Sequence, residues 1–119
     1  MIYRILHILV ALVILSGCAT GLTSREHASE DYKQNGDYAS LETIANSFYK
    51  GMRRSEVERL LGVPDYSPIE GQYYYSSSRS VDSDEQGRGV PAGLVVDYRD
   101  ENGQVSDTLQ EFWLGPIGE

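Results

Sequence analysis

Residues 49–64 read YKGMRRSEVERLLGVP, and this stretch decides the fold. Its apolar residues recur at the spacing of one helical face: Val57, Leu60 and Leu61. That spacing predicts a short amphipathic helix. Gly62 and then Pro64 follow it in the order that commonly ends a helix and turns the chain away.

A second helix is predicted just upstream. The apolar residues there are also spaced for one helical face: Leu41, Ile44, Ala45, Phe48 and Tyr49. Asp37 or Ser40 could cap its start. Gly51 can adopt the positive φ needed between the helices, and Met52 can plug the joint with a flexible apolar side chain. The two helices therefore form an αα-hairpin in this prediction.

Downstream of the helices, the pattern changes to that of strands. An aromatic run covers residues 72–76, alternating apolar residues cover 94–98, and a third strand is predicted over 105–113. We expect a polar loop over 77–91 and a turn at Asn102-Gly103. The predicted fold is α+β with two layers: two N-terminal helices packed on a three-stranded antiparallel meander, in the order ααβββ.

The composition and the net charge of the chain exclude several classes of function and site. The 119 residues carry 10 basic and 18 acidic side chains, a formal net charge of −8, which argues against nucleic-acid binding. The single cysteine excludes an internal disulfide and a cysteine-based zinc site. Both histidines, His7 and His27, precede the predicted domain, so a histidine-based catalytic triad or metal site is not expected in it. No metal or cofactor is predicted.

The first 17 residues form a leader with no acid and one basic residue, Arg4. Its apolar run covers residues 5–15, which is shorter than the roughly 20 residues needed to cross a bilayer core. A positive start followed by a short apolar run is typical of a secretory signal peptide. The leader is therefore predicted to be residues 1–17.

The leader ends in Leu15-Ser16-Gly17-Cys18. This tetrapeptide resembles a bacterial lipobox, in which an aliphatic residue and two small residues precede the cysteine that is lipidated before cleavage. The resemblance implies a diacylglycerol and an N-acyl chain, such as palmitate, on Cys18. One chain anchors a protein only marginally and several anchor it stably. Ala19 implies sorting to the outer membrane, because enteric-type retention in the inner membrane mainly requires aspartate at this position.

Residues 18–37 are polar after the cysteine, and we predict a flexible tether there. The folded domain is predicted over residues 38–119. Its helical motif resembles the signature of the BamE-like (SmpA/OmlA) outer-membrane lipoproteins, through these residues: Gly51, Met52, Val57, Leu61, Gly62 and Pro64. The tyrosine-rich strand, the Leu-x-Val-x-Tyr strand and the Asn-Gly-x-Val hairpin extend the resemblance over about residues 40–114.

Two departures indicate a divergent member of that family. Arg53 stands at the helix cap, where the family usually has Thr or Ser, and the acidic loop looks like an insertion. The resemblance implies a periplasm-facing accessory that binds envelope or outer-membrane assembly proteins. The alternative is a periplasmic inhibitor or ligand-binding module, since the predicted architecture resembles that of β-lactamase inhibitor proteins.

Catalysis is not predicted. The densest acids are Asp82, Asp84 and Glu85, in a polar run without apolar surroundings that would shift a pKa. A calcium site is conceivable from these carboxylates, but the spacing does not match an EF-hand loop. The expected binding surface lies on the sheet face away from the helices. Alternation from Leu109 places Trp113 inward and Phe112 outward, so Phe112 and Tyr74 are the predicted partner-binding residues.

Overall fold

The computed structural model describes residues 23–82 and 89–117. Its fold is α+β, with three helices and one four-stranded antiparallel sheet. The helices are α1 (Ser24–Asn35), α2 (Tyr38–Ala45) and α3 (Arg54–Leu61). The strands are β1 (Tyr66–Ile69), β2 (Gln72–Asp82), β3 (Gly89–Asp97) and β4 (Glu111–Pro116), and neighbours in sequence are neighbours in the sheet.

The prediction of a flexible tether up to residue 37 is wrong from Ser24 onward, because α1 occupies that segment. The Thr23 hydroxyl accepts a hydrogen bond from the Glu26 amide at 3.3 Å, which caps the helix. Gly36 ends it with φ 64°. The folded domain therefore begins near residue 23, about 15 residues earlier than predicted.

Helix α1 was not predicted from the sequence because its buried face is partly polar. Its buried residues are Ala28, Ser29 and Tyr32, too few for a helical hydrophobic pattern. The Ser29 hydroxyl donates to the Leu60 carbonyl at 2.6 Å, and the Tyr32 hydroxyl donates to the Ser76 carbonyl at 2.9 Å. The helix is thus attached to α3 and β2 by hydrogen bonds to backbone oxygens as well as by apolar contact.

The two predicted helices are present, and their apolar faces form the core. Leu41, Ile44 and Val57 are buried in α2 and α3. Tyr49 was assigned to the same face, but α2 ends at Ala45 and Tyr49 is 61% exposed. The inner sheet face completes the core through four side chains of β2, β3 and the residue after β3: Tyr75, Leu94, Val96 and Tyr98.

The sheet has four strands rather than the predicted three. β1 was missed because its four residues are all exposed and include Pro68, so they show no strand alternation. The loop expected over 77–91 is also shorter, since β2 continues to Asp82 and β3 begins at Gly89. Polar residues such as Ser80 form the long hairpin, where ladder hydrogen bonds rather than apolar anchors hold the strands.

The third predicted strand begins later than expected. Val105 forms only an isolated bridge with Arg99, and β4 itself starts at Glu111. Between them, Leu109 exchanges hydrogen bonds with the helix joint: its amide donates to Met52 at 2.8 Å and its carbonyl accepts from Gly51 at 2.7 Å. The turn at Asn102-Gly103 is present, with φ 77° at Gly103.

Candidate functional site

An aromatic row crosses the sheet face opposite the helices. It comprises Tyr66, Tyr74, Val95 and Trp113, one from each strand, aligned by the strand registers. The rings of Tyr66 and Tyr74 lie 5.7 Å apart at 60°. Tyr66 is 56% and Trp113 is 40% exposed, whereas Val95 between Tyr74 and Trp113 is 1% exposed. The row therefore presents exposed rings on β1 and β4, with Val95 buried between them.

A polar row lies beside it, one register step along the strands: Gln72, Asp97 and Glu111. Arg99 donates from Nε to Asp97 Oδ1 at 2.9 Å, and Gln72 donates to Asp97 Oδ2 at 3.4 Å. The hydrogen bond from the Arg99 guanidinium holds the pKa of Asp97 below its ordinary value, against the opposing effect of burial. Glu111 is exposed, so the row has an acidic margin at β4.

Gly93 bounds the other side of the aromatic row. A Cβ atom there would lie 2.2 Å from the Tyr75 carbonyl oxygen and 2.8 Å from Ile117 Cδ1. Both distances are shorter than real contacts allow, so the strand needs glycine at this position. Ile117 reaches over Gly93 and closes this end of the row.

The two predicted partner-binding residues lie on opposite faces of the sheet. Tyr74 is on the outer face, in the aromatic row. Phe112 pairs with Val96 and packs inward, its ring 5.7 Å from that of Phe48 at 80°. The assignment of Phe112 to the outer face is therefore wrong, and Trp113 takes that place.

A bulge at the start of β4 reverses which of its residues face the helices. Asp97 pairs with Glu111, yet the Gln110 amide also donates to the Asp97 carbonyl at 2.8 Å. Two successive residues thus oppose one, so the alternation that starts at Leu109 shifts by one position. Leu109 and Phe112 both point inward as a result, and Trp113 points out.

The helical motif residues build the fold rather than an accessible site. Met52, Val57 and Leu61 are each at most 2% exposed. Gly51 and Gly62 have φ 96° and 78°, a backbone conformation that favours glycine. Pro64 follows as the chain turns toward β1, and it is half-buried.

A cluster of side chains around Arg54, at the start of α3, was not predicted from the sequence. The Arg54 guanidinium lies 5.0 Å and 4.7 Å from the ring centroids of Tyr73 and Tyr98. It also donates to Tyr73 Oη at 2.9 Å and to Glu58 Oε1 at 2.8 Å. The i,i+4 spacing of Arg54 and Glu58 was the one available signal.

This cluster borders an open cavity of about 650 Å³. The cavity is lined by Arg53, Arg54, Ser55, Glu58, Asp107 and Thr108. Arg54 is already paired with Glu58, and Asp107 adds a second acid, so the site is poorly suited to an anion. Its contacts instead attach α3 to the sheet.

Several predicted residues lie outside the described part of the chain: Leu15, Ser16, Gly17, Cys18, Asp84 and Glu85. Asp82 ends β2, but its side chain is not described. Within residues 23–82 and 89–117, no helix is long and apolar enough to cross a membrane. The same residues contain no group of three or more His, Cys, Asp or Glu placed to hold a metal ion.

Comparison with protein-family models, curated proteins and solved structures gives no match for this chain.

Proposed function

We propose that the chain is an outer-membrane lipoprotein, anchored through Cys18 and facing the periplasm, that binds other proteins without catalysis. Its role would be that of an accessory in outer-membrane protein assembly or envelope maintenance. The leader and the Leu15-Ser16-Gly17-Cys18 tetrapeptide support the anchor. The single observation that supports binding is the aromatic row, because exposed Trp and Tyr side chains are enriched where protein interfaces carry most of their energy.

The alignment and exposure of the aromatic rings favour a protein partner. Scattered apolar residues are normal on a protein surface, whereas the residues of the aromatic row are aligned across four strands. Val95 is 1% exposed, so a partner would contact mainly the exposed rings of Tyr66 and Trp113. Two exposed rings on a rigid sheet offer apolar contact with little loss of conformational entropy.

A non-catalytic role agrees with the environment of three described acids, Glu26, Glu56 and Asp97. Glu26 and Glu56 have lowered pKa values because Arg59 donates hydrogen bonds to both. Asp97 is held in the same way by Arg99. These carboxylates remain charged and paired, which suits ion pairs and not proton transfer near neutral pH.

The position of α1 sets the distance to the proposed anchor. Four residues lie between Cys18 and Thr23, and the five Cα-to-Cα steps that join the two span at most about 18 Å when fully extended. With α1 attached to α3 and β2, the domain would therefore lie close to the membrane instead of at the end of a 20-residue tether. A partner of the aromatic row would then be a protein at or near the inner surface of the outer membrane.

Crosslinking in intact cells tests this proposal. The parent protein, Trp113→Ala and Cys18→Ser would each be crosslinked and purified, and co-purifying proteins identified. We expect outer-membrane assembly or envelope proteins with the parent, a loss of them with Trp113→Ala, and a soluble or uncleaved product with Cys18→Ser. Thr43→Ala, a change at a partly exposed residue of α2 away from the aromatic row, is the control. A soluble periplasmic enzyme as the main partner would favour the inhibitor alternative.

A further inference from the structure

The outer edge of β4 presents backbone groups that no strand in the described part of the chain uses. The Ile117 amide donates to the Pro91 carbonyl at 2.8 Å, so residues 91 and 117 form a hydrogen-bonded pair. Such pairs alternate along an antiparallel ladder. The pairs Gly93–Gly115 and Val95–Trp113 therefore also exchange hydrogen bonds, and the amides and carbonyls of Phe112 and Leu114 point away from β3.

The other side of β3 supports this assignment. The Tyr98 amide donates to the Gly71 carbonyl at 2.8 Å, continuing the ladder between β2 and β3. By the same alternation, Leu94 and Val96 direct their backbone groups toward β2. They are therefore not available to Leu114 and Phe112, which lie opposite them.

No hydrogen bond to the backbone of Phe112 or Leu114 comes from any other described residue. The opposite edge of the sheet differs. β1 has only four residues, is interrupted by Pro68 and shows a register shift against β2, which are devices that block edge pairing. β4 carries its proline only at its last residue, Pro116, and within residues 23–82 and 89–117 no strand pairs with its edge over 112–114.

Apolar side chains flank this edge on both faces of the sheet. Trp113 is exposed on the outer face, while Phe112 and Leu114 are partly buried against the core on the inner face. A strand added here would place successive side chains alternately beside Trp113 and beside Phe112 or Leu114. Glu111 is the only charged residue of β4, it is exposed, and the whole chain has a net charge of −8.

We propose that the free edge of β4 binds an extended, basic segment of a partner protein as a fifth strand of the sheet. Backbone hydrogen bonds to Phe112 and Leu114 would supply affinity, and alternate side chains would contact Trp113. A lysine or arginine of the segment would lie near Glu111. This inference rests on the proposed function and specifies the partner's conformation and charge.

Amide exchange measured by NMR tests the proposal on the full-length protein in detergent. The probe is a capped synthetic octapeptide of alternating valine and lysine, with two relatives: one with glutamate for lysine, and one methylated at every backbone nitrogen. We expect the lysine peptide to slow exchange of the Phe112 and Leu114 amides at least tenfold. The glutamate peptide should bind at least tenfold more weakly, and the methylated peptide should not slow these amides.

Three results would overturn the proposal. One is unchanged exchange at both amides with saturating lysine peptide. Another is equal binding of the methylated peptide, which would mean that side chains alone are recognised. The third is protection of both amides without peptide that rises with protein concentration, because a second copy would then occupy the edge.

Leu114→Pro removes one edge donor, and Leu114→Val is its matched control. We expect at least tenfold weaker peptide binding for the proline variant and parent-like binding for the valine variant. If Leu114→Pro does not fold, the exchange measurement on the unsubstituted protein decides alone. Loss of envelope partners from Trp113→Ala without peptide binding would overturn only the edge proposal. Peptide binding without envelope partners would overturn only the proposed function.

Discussion

The rings of Phe48 and Phe112 meet edge to face, with their centroids 5.7 Å apart and their planes at 80°. Phe48 is 8% exposed and belongs to the core beside α2. This contact fixes the inner face of β4 and, with it, the outward direction of Trp113.

Phe112→Ala should destabilise the fold more than Trp113→Ala. Removing a ring that packs against the core leaves a cavity and costs about 2 kcal/mol or more of the free energy of unfolding. Trp113 is 40% exposed and is not packed against the core cluster, so its removal should cost less than that of Phe112. Urea unfolding of both variants measures this. A larger loss for Trp113→Ala would mean that the faces of β4 are reversed.

Tyr98→Phe should leave stability unchanged or raise it. The Tyr98 hydroxyl is buried and has no hydrogen-bond partner within the part of the chain that the structure describes. Its removal relieves a desolvation cost of about 1–2 kcal/mol. For a domain of this size, each kcal/mol of added stability raises Tm by roughly 4–8 °C. Tyr75→Phe is the control and should destabilise, since that hydroxyl donates to the Gly62 carbonyl at 3.3 Å. A lower Tm for Tyr98→Phe would contradict the assignment.

Tyr32→Phe should loosen α1. The change removes the hydrogen bond to the Ser76 carbonyl while keeping the buried ring, at a cost of about 1 kcal/mol. Hydrogen exchange resolved along the chain should then speed up in Ser24–Asn35 more than in α2. Tyr38→Phe, a partly exposed tyrosine at the start of α2, should leave the exchange of α1 unchanged. Equal acceleration in both helices would show that α1 does not open on its own.

Asp97→Asn should remove part of the acid sensitivity of folding. Because Arg99 lowers the pKa of Asp97 in the folded state, the pair stabilises the fold above the unfolded value of 3.8. That stabilisation is lost as the pH falls through the lower folded value. Unfolding measured from pH 7 to pH 2 should therefore decline less in Asp97→Asn, and the exposed control Glu101→Gln should follow the parent. Parallel profiles for Asp97→Asn and the parent would contradict this.

Ala19→Asp should move the protein toward the inner membrane in a host that uses the enteric sorting rule. Under this rule, sorting depends on the residue after the lipidated cysteine, which here is Ala19. Ala19→Ser is the matched control. Density-gradient fractionation of membranes measures the distribution. An unchanged outer-membrane position for Ala19→Asp would overturn the sorting prediction and leave the anchor untouched.

The sequence was sufficient to predict the elements in which apolar residues recur at the spacing of one buried face. The spacing of Val57, Leu60 and Leu61 predicted α3, and all three residues are buried. The alternation of Leu94, Val96 and Tyr98 predicted the inner face of β3 for the same reason. Hydrophobic periodicity is a local signal, so it survives without knowledge of the partner element.

Other elements depend on contacts between distant residues. The buried face of α1 relies on Ser29 and Tyr32, whose hydroxyls donate to backbone carbonyls 31 and 44 residues away. β1 and the outer half of the β2–β3 hairpin are defined by ladder hydrogen bonds between mostly polar residues. Nothing local in such residues marks them as paired, because their stabilising partners come from elsewhere in the chain.

The candidate site shows the same division. Composition and the strand pattern were enough to predict that an aromatic surface lies on the free sheet face, and Tyr74 is on it. Only the tertiary structure decided between Phe112 and Trp113. The bulge at Gln110 and Glu111 depends on the shared carbonyl of Asp97, and one extra residue reverses every later side chain of the strand.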